Sequence, residues 1–91
     1  MAVPIDKGGV KAVGSGASSV TVTFASDDQC AASPAAFPSG YTVIIPQPTA
    51  DWTTSVTRGT VSVTSVTYNF GTAPGSGGGN IHWQAQGVKT S

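Results

Sequence analysis

The sequence predicts an all-β chain, a small antiparallel β-sandwich of six or seven short strands with an extended N-terminal arm. Three observations predict it. Apolar and hydroxyl side chains alternate in short runs such as S-S-V-T-V-T-F and V-T-Y-N-F, the period of strands with one buried face. Clusters of Gly, Pro, Ser and Asp separate those runs, as turns do. No useful window carries the spacing of an amphipathic helix. At 91 residues the chain has room for one small domain, whose core is thin for its length.

Residues 1–17, M-A-V-P-I-D-K-G-G-V-K-A-V-G-S-G-A, contain Pro4 and several glycines, and these rule out a helix. Val3, Ile5, Val10 and Val13 fall on no regular face. Two readings fit: a loose terminus, or an arm that lies on a neighbouring subunit. The arm is the expectation, with the sandwich over 18–91. Residues 18–26 read as a strand with Val20, Val22 and Phe24 on one face and Thr21, Thr23 and Ala25 on the other. Asp27-Asp28-Gln29 reads as a solvated turn, because a calcium loop needs more spaced oxygen donors and a turn glycine.

The stretch C-A-A-S-P-A-A-F-P-S-G over 30–40 is an irregular connection, since Pro34 and Pro38 cannot donate to a ladder; Phe37 is expected to plug the core edge. Tyr41, Val43 and Ile45 then face inward, and Ile44 faces away, toward a partner. Pro46 and Pro48 end that strand. Trp52 is expected to open the next one, with a tight turn at Arg58-Gly59. Val61 and Val63 are odd-numbered, whereas Val66, Tyr68 and Phe70 are even. A one-residue slip inverts every side chain, so a bulge or turn is required near Thr64-Ser65. The Gly-rich segment 73–80 is a hairpin loop. In the last strand, N-I-H-W-Q-A-Q-G-V, Ile81, Trp83 and Ala85 alternate with His82, Gln84 and Gln86.

Charge excludes some functions. Four basic residues balance four aspartates, Glu is absent, and charged residues make up 9% of the chain. A nucleic-acid binder needs a basic footprint, so nucleic acid is not an expected partner. No apolar run reaches the length of a membrane span. The N-terminal residues lack the apolar stretch of a secretion signal, which leads to an expectation of synthesis in a cytoplasm. So few charges also leave little solubility margin for a free monomer. Support from an oligomer or a larger assembly is therefore expected.

Chemistry is equally sparse. Cys30 is the lone cysteine and His82 the lone histidine, too few ligands for a zinc site. A triad could be drawn from His82, an Asp and a Ser, but G-x-S-x-G is missing. The glycine run lacks the Lys-Ser/Thr pair of a phosphate loop. The expectation is a protein that is not an enzyme and has no cofactor and no metal. What is left is the row His82, Gln84, Gln86, which can donate and accept hydrogen bonds. An exposed aromatic residue beside it could serve as a sugar platform; otherwise the row is an interface or a wetted face.

The succession Y-T-V-I-I-P, W-T-T-S-V-T, V-T-Y-N-F-G-T-A and I-H-W-Q-A-Q-G resembles the H-type lectin-like sandwich of agglutinins and phage tail-fibre tips. The resemblance covers about residues 18–88 and rests on strand order and the terminal I-x-W-x-A-x-G. It implies a six-stranded antiparallel sandwich that trimerises, with a sugar site at which His82 and Trp83, and more weakly Arg58, would contact glycans. A fibre tip would follow a long stalk, and only a short arm stands here. Small neutral β proteins with a leading arm resemble phage head decoration (cement) proteins. That resemblance implies a virion location, a homotrimer, and binding of the N-terminal segment, with Val3, Ile5, Val10 and Val13, to the major capsid protein; Ile44, outward on its strand, is the further expected partner contact. The leading expectation is a capsid decoration protein; the alternative is a carbohydrate-binding receptor tip.

Overall fold

A computed structural model describes residues 5–31 and 34–89. Seven strands and one helical turn follow in the order β1 (Ile5–Val13), β2 (Ser19–Thr23), α1 (Phe24–Asp27), β3 (Tyr41–Ile44), β4 (Thr49–Ala50), β5 (Val56–Val61), β6 (Ser65–Phe70) and β7 (Gly79–Lys89). They form two antiparallel sheets, the sandwich expected from the alternation. In the first, β7 lies between β1 on one side and β3 and β4 on the other. The second has the order β2-β6-β5.

The inward faces meet in one core. Trp83, Tyr68, Phe24, Ile81, Val22 and Val66 are its largest fully buried side chains. The Phe24 ring stands edge-on to Phe37 at 5.0 Å and tilts against Trp83 at 5.8 Å, separations at which aromatic pairs attract beyond their buried area. Phe37 fills the core edge as expected. Its N–H donates to the Val63 carbonyl, and its ring lies where a side chain on Gly87 would be. Burial without a protein partner for its hydroxyl pushes the Tyr68 phenol up to about 12, because the charged form is the one that loses water.

Several local expectations need correction. The arm expected over 1–17 is, from Ile5 to Val13, an edge strand of the chain's own sheet, paired along its length with β7. Alternate residues of β1 do face one way, but glycines at 8 and 9 interrupt the apolar pattern by which a strand is recognised. The strand expected over 18–26 stops at Thr23, where a helical turn begins. Asp27 Oδ2 accepts the Thr23 N–H at 2.8 Å, satisfying a donor at the helix start. Phe24 points inward in either conformation, so periodicity could not separate them.

Asp27-Asp28 is not a solvated turn. Asp27 pairs with Lys11 at 3.0 Å, and Asp28 is buried. Trp52 lies in a bend ahead of β5, and Arg58-Gly59 is no turn. β5 runs through these residues with a register shift between Arg58 and Val61. The reversal instead occupies 62–64, next to the expected Thr64-Ser65, and there the Ser62 N–H donates to the Ser65 carbonyl.

The raised Tyr68 value predicts an alkaline limb. A group whose folded pKa lies above its unfolded value adds stability at lower pH and loses it as pH rises through the folded value. Stability should therefore decline between about pH 10 and about pH 12, by about 3 kcal/mol in total. Tyr68→Phe should abolish that decline. At neutral pH it should match or exceed the parent by about 1 kcal/mol, because an unpaired buried hydroxyl is removed. Urea unfolding as a function of pH measures both effects.

Candidate functional site: the outer face of the β1-β7-β3 sheet

Residues paired across an antiparallel ladder share a face. The outward residues of β7 therefore define rows across the first sheet. Asp6, Gln86 and Ile44 make one row, and Val10, His82 and Thr49 another. Between them, Gln84 faces Gly8 of β1. On its other side lies the gap between β3 and β4, where Pro46 and Pro48 interrupt pairing because they have no N–H. Gln47 in this gap donates its side-chain amide to the Val56 carbonyl, tying the connection to the second sheet.

Each side of Gln84 therefore opens a shallow cleft. The one lined by Asp6, Gly8, Cys30, Ile44, Pro46 and Gln86 has a volume of about 390 Å³. The other, lined by Val10, Gln47, Thr49 and His82, has about 350 Å³. Gly8 matters here because a Cβ at this position would approach the Trp83 carbonyl oxygen to 2.9 Å and reach toward Gln84 and Cys30. Val10 (40% exposed) and Ile44 (50%) are the exposed large hydrophobic residues among those described, and both lie on this one face. The Asp6 carboxylate accepts a hydrogen bond from the Gln86 amide at 3.2 Å. At the far end of the β7 row the Asn80 backbone N–H, with its side-chain amide, holds Asp51 below the usual carboxylate range; the nearby His82 adds a smaller effect.

The free edge of β1 is covered locally by the segment after α1. The Gln29 N–H donates to the Gly8 carbonyl at 2.8 Å. Its side-chain oxygen accepts the Val10 N–H at 3.1 Å, and its amide donates to the Val10 carbonyl at 3.3 Å. A side-chain amide here takes the place of a neighbouring strand's peptide group.

The expected site residues divide. Ile44, Val10 and His82 share the outer face. Val13 is 3% exposed and belongs to the core, so it cannot serve as a docking residue on this surface. Ile5 is half-buried and packs against the core. Val3 lies outside the described residues. Trp83 is 1% exposed and offers no platform for a sugar ring, because it points inward while its neighbour His82 points out. Arg58 is exposed on β5 of the other sheet and does not join His82. Cys30, the lone cysteine, is exposed. Residue-by-residue reading missed Thr49 and Gly8, which the pairing of β4 and β1 with β7 brings to this face, and Gln47, which reaches it from the gap between β3 and β4.

Fold and face together define a small antiparallel β-sandwich with one neutral, cleft-bearing outer surface. Among the described residues no three His, Cys, Asp or Glu side chains cluster, and no helix is long and apolar enough to cross a membrane. Comparison with protein-family models, curated proteins and solved structures finds no match.

Opposite orientations of adjacent residues predict opposite consequences. Trp83→Ala should lose about 3–5 kcal/mol of stability, as expected of a large core truncation. His82→Ala should stay within about 0.5 kcal/mol of the parent. Urea unfolding of the two variants provides the measurement.

Proposed function

We propose that this chain is a non-enzymatic structural protein of a phage virion, a capsid decoration protein that docks on the major capsid protein lattice. The supporting observation is the contrast between the outer faces of its two sheets. Val10 and Ile44 rise from the first, beside hydrogen-bonding groups that carry little net charge. The second presents Ser19, Thr21, Thr23, Thr57, Thr67 and Asn69, small polar groups that leave water well accommodated. Protein interfaces have apolar centres depleted in charge with a polar rim, so the first face is the better docking surface and the second the better solvent face.

Because Ile5–Val13 is consumed as β1, the proposed anchorage moves from an N-terminal arm to this sheet face. Ile44 and Val10 remain as anchors. Association into a homotrimer is part of the same proposal, supported by the edge strands β2 and β5 that end the second sheet. The enzymatic alternative is weakened by His82, which makes no hydrogen bond to a carboxylate or hydroxyl among the described residues.

A second reading, a receptor tip that binds neutral glycans, is favoured by one observation. The cleft beside His82 is lined by Gln47, Thr49 and Gln84, which match sugar hydroxyls in their capacity to donate and accept. Its weakness is the missing aromatic floor.

Co-sedimentation with purified phage heads separates the readings. Val10→Asp combined with Ile44→Asp should lower head binding by at least about tenfold, since burying unpaired carboxylates in an interface is costly. Thr21→Asp on the opposite sheet should leave it unchanged. Binding should also vary little with salt, because few charges are involved. Retention of binding by the double variant would exclude this face. Glycan-array binding that disappears with His82→Ala, in a chain with no affinity for heads, would replace the capsid reading with the second.

A further inference from the structure

Lys7 and Asp28 are the charged residues buried among those described, at 7% and 4% exposure. Their arrangement is unusual for an ion pair. Lys7 Nζ stands 3.7 Å from Asp28 Oδ2, beyond hydrogen-bonding distance. Asp28 Oδ2 finds no hydrogen-bond partner. Its twin is fully engaged: Oδ1 accepts the Gly8 N–H at 3.1 Å and the Cys30 N–H at 2.9 Å. The Phe37 ring forms one wall, its centroid 5.0 Å from Nζ.

A buried pair of opposite charges is costly unless hydrogen bonds satisfy the remaining positions, and here the contacting oxygen has none. The carboxyl group is instead polarised for attack. Two backbone N–H groups converge on Oδ1, the arrangement that stabilises negative charge developing on a carbonyl oxygen. The other oxygen faces an amine in a water-poor space. Holding two reactants side by side replaces an encounter with a local rearrangement.

We propose that Lys7 and Asp28 condense after folding to an intramolecular isopeptide bond, joining β1 to the segment after α1. The atoms balance without a co-reactant. The ammonium passes one proton to Oδ2, which leaves a neutral amine beside a carboxylic acid. The nitrogen lone pair adds to Cγ, and the carbonyl electron pair moves onto Oδ1, where the Gly8 and Cys30 N–H groups receive it. A second proton passes from nitrogen to Oδ2, and that oxygen departs as water. The carbonyl at Oδ1 re-forms as the amide, and both buried charges are gone. The four rotatable bonds of the lysine side chain supply the movement that closes the remaining distance.

Intact-mass spectrometry of the folded, purified protein, denatured just before injection, tests this. The expected mass is one water below the value for the sequence, with or without Met1. Digestion should give a branched peptide joining the Lys7 and Asp28 segments, with trypsin failing to cut after Lys7. Lys7→Arg should restore the full mass. Cyclisation of Asp28 onto its own backbone would also remove one water, but it would leave Lys7 cleavable and would persist in Lys7→Arg; that result overturns the proposal. So does a full mass after prolonged incubation of the wild-type chain, which would leave the two residues as a buried ion pair only. The wild-type measurement decides the matter even if a variant fails to fold.

Discussion

Strand β7 must satisfy its backbone on two edges while separating two environments across its faces, and the rest of the molecule follows from that double demand. Eleven residues long, it is too extended to be left with an open edge, because unpaired strand groups recruit other chains. β1 covers one edge from Gly79 to Gly87. The other is shared by β3 and β4, with a proline-containing interruption between them. The inward residues Ile81, Trp83 and Ala85 supply the floor of the core. The outward residues His82, Gln84 and Gln86 supply the candidate site. One strand thus fixes both the position of the heaviest side chain in the interior and the spacing of the polar row above it.

The same geometry explains what was legible in the sequence. Alternation in V-T-V-T-F, V-T-Y-N-F and I-H-W-Q-A correctly separates buried Val22, Phe24, Tyr68, Phe70, Ile81 and Trp83 from their exposed neighbours, because side-chain direction in a strand depends on local period alone. Ile44 is outward for the same reason. The slip between the odd and even valines does mark a reversal, at 62–64. Where local period failed, a long-range partner decided the outcome. The residues Ile5–Val13 carry two glycines and two lysines and look unlike a strand by composition. They become one because β7 has an edge to fill, and because Lys7 and Lys11 find aspartates from the segment after β2. Asp28 reads as solvated in isolation and is buried because Gly8 and Cys30 offer it backbone donors.

The candidate site was legible in part. Strand alternation marks His82 and Ile44 as outward-facing groups, but their membership in one surface depends on β3, β4 and β7 pairing, which a local pattern does not contain. Trp83 illustrates the opposite error. Its chemistry suits a sugar platform, yet its parity with Ile81 and Ala85 commits it to the interior. Position along the strand outweighs residue type here. Gly8 carries no side chain to attract notice, and its role comes from the space it leaves beside Gln84.

The clasp between Gln29 and Val10 has a consequence for how the free edge of β1 meets other chains. An edge strand is an invitation to polymerise, and exclusion by charge is a poor option for a chain with so little of it. Here a carboxamide imitates the peptide link of an absent neighbour and occupies the midpoint of the margin. Any intruding polypeptide would have to evict that amide before it could zip along β1. A single uncharged side chain thereby caps this stretch of the β1 edge without adding to the surface potential.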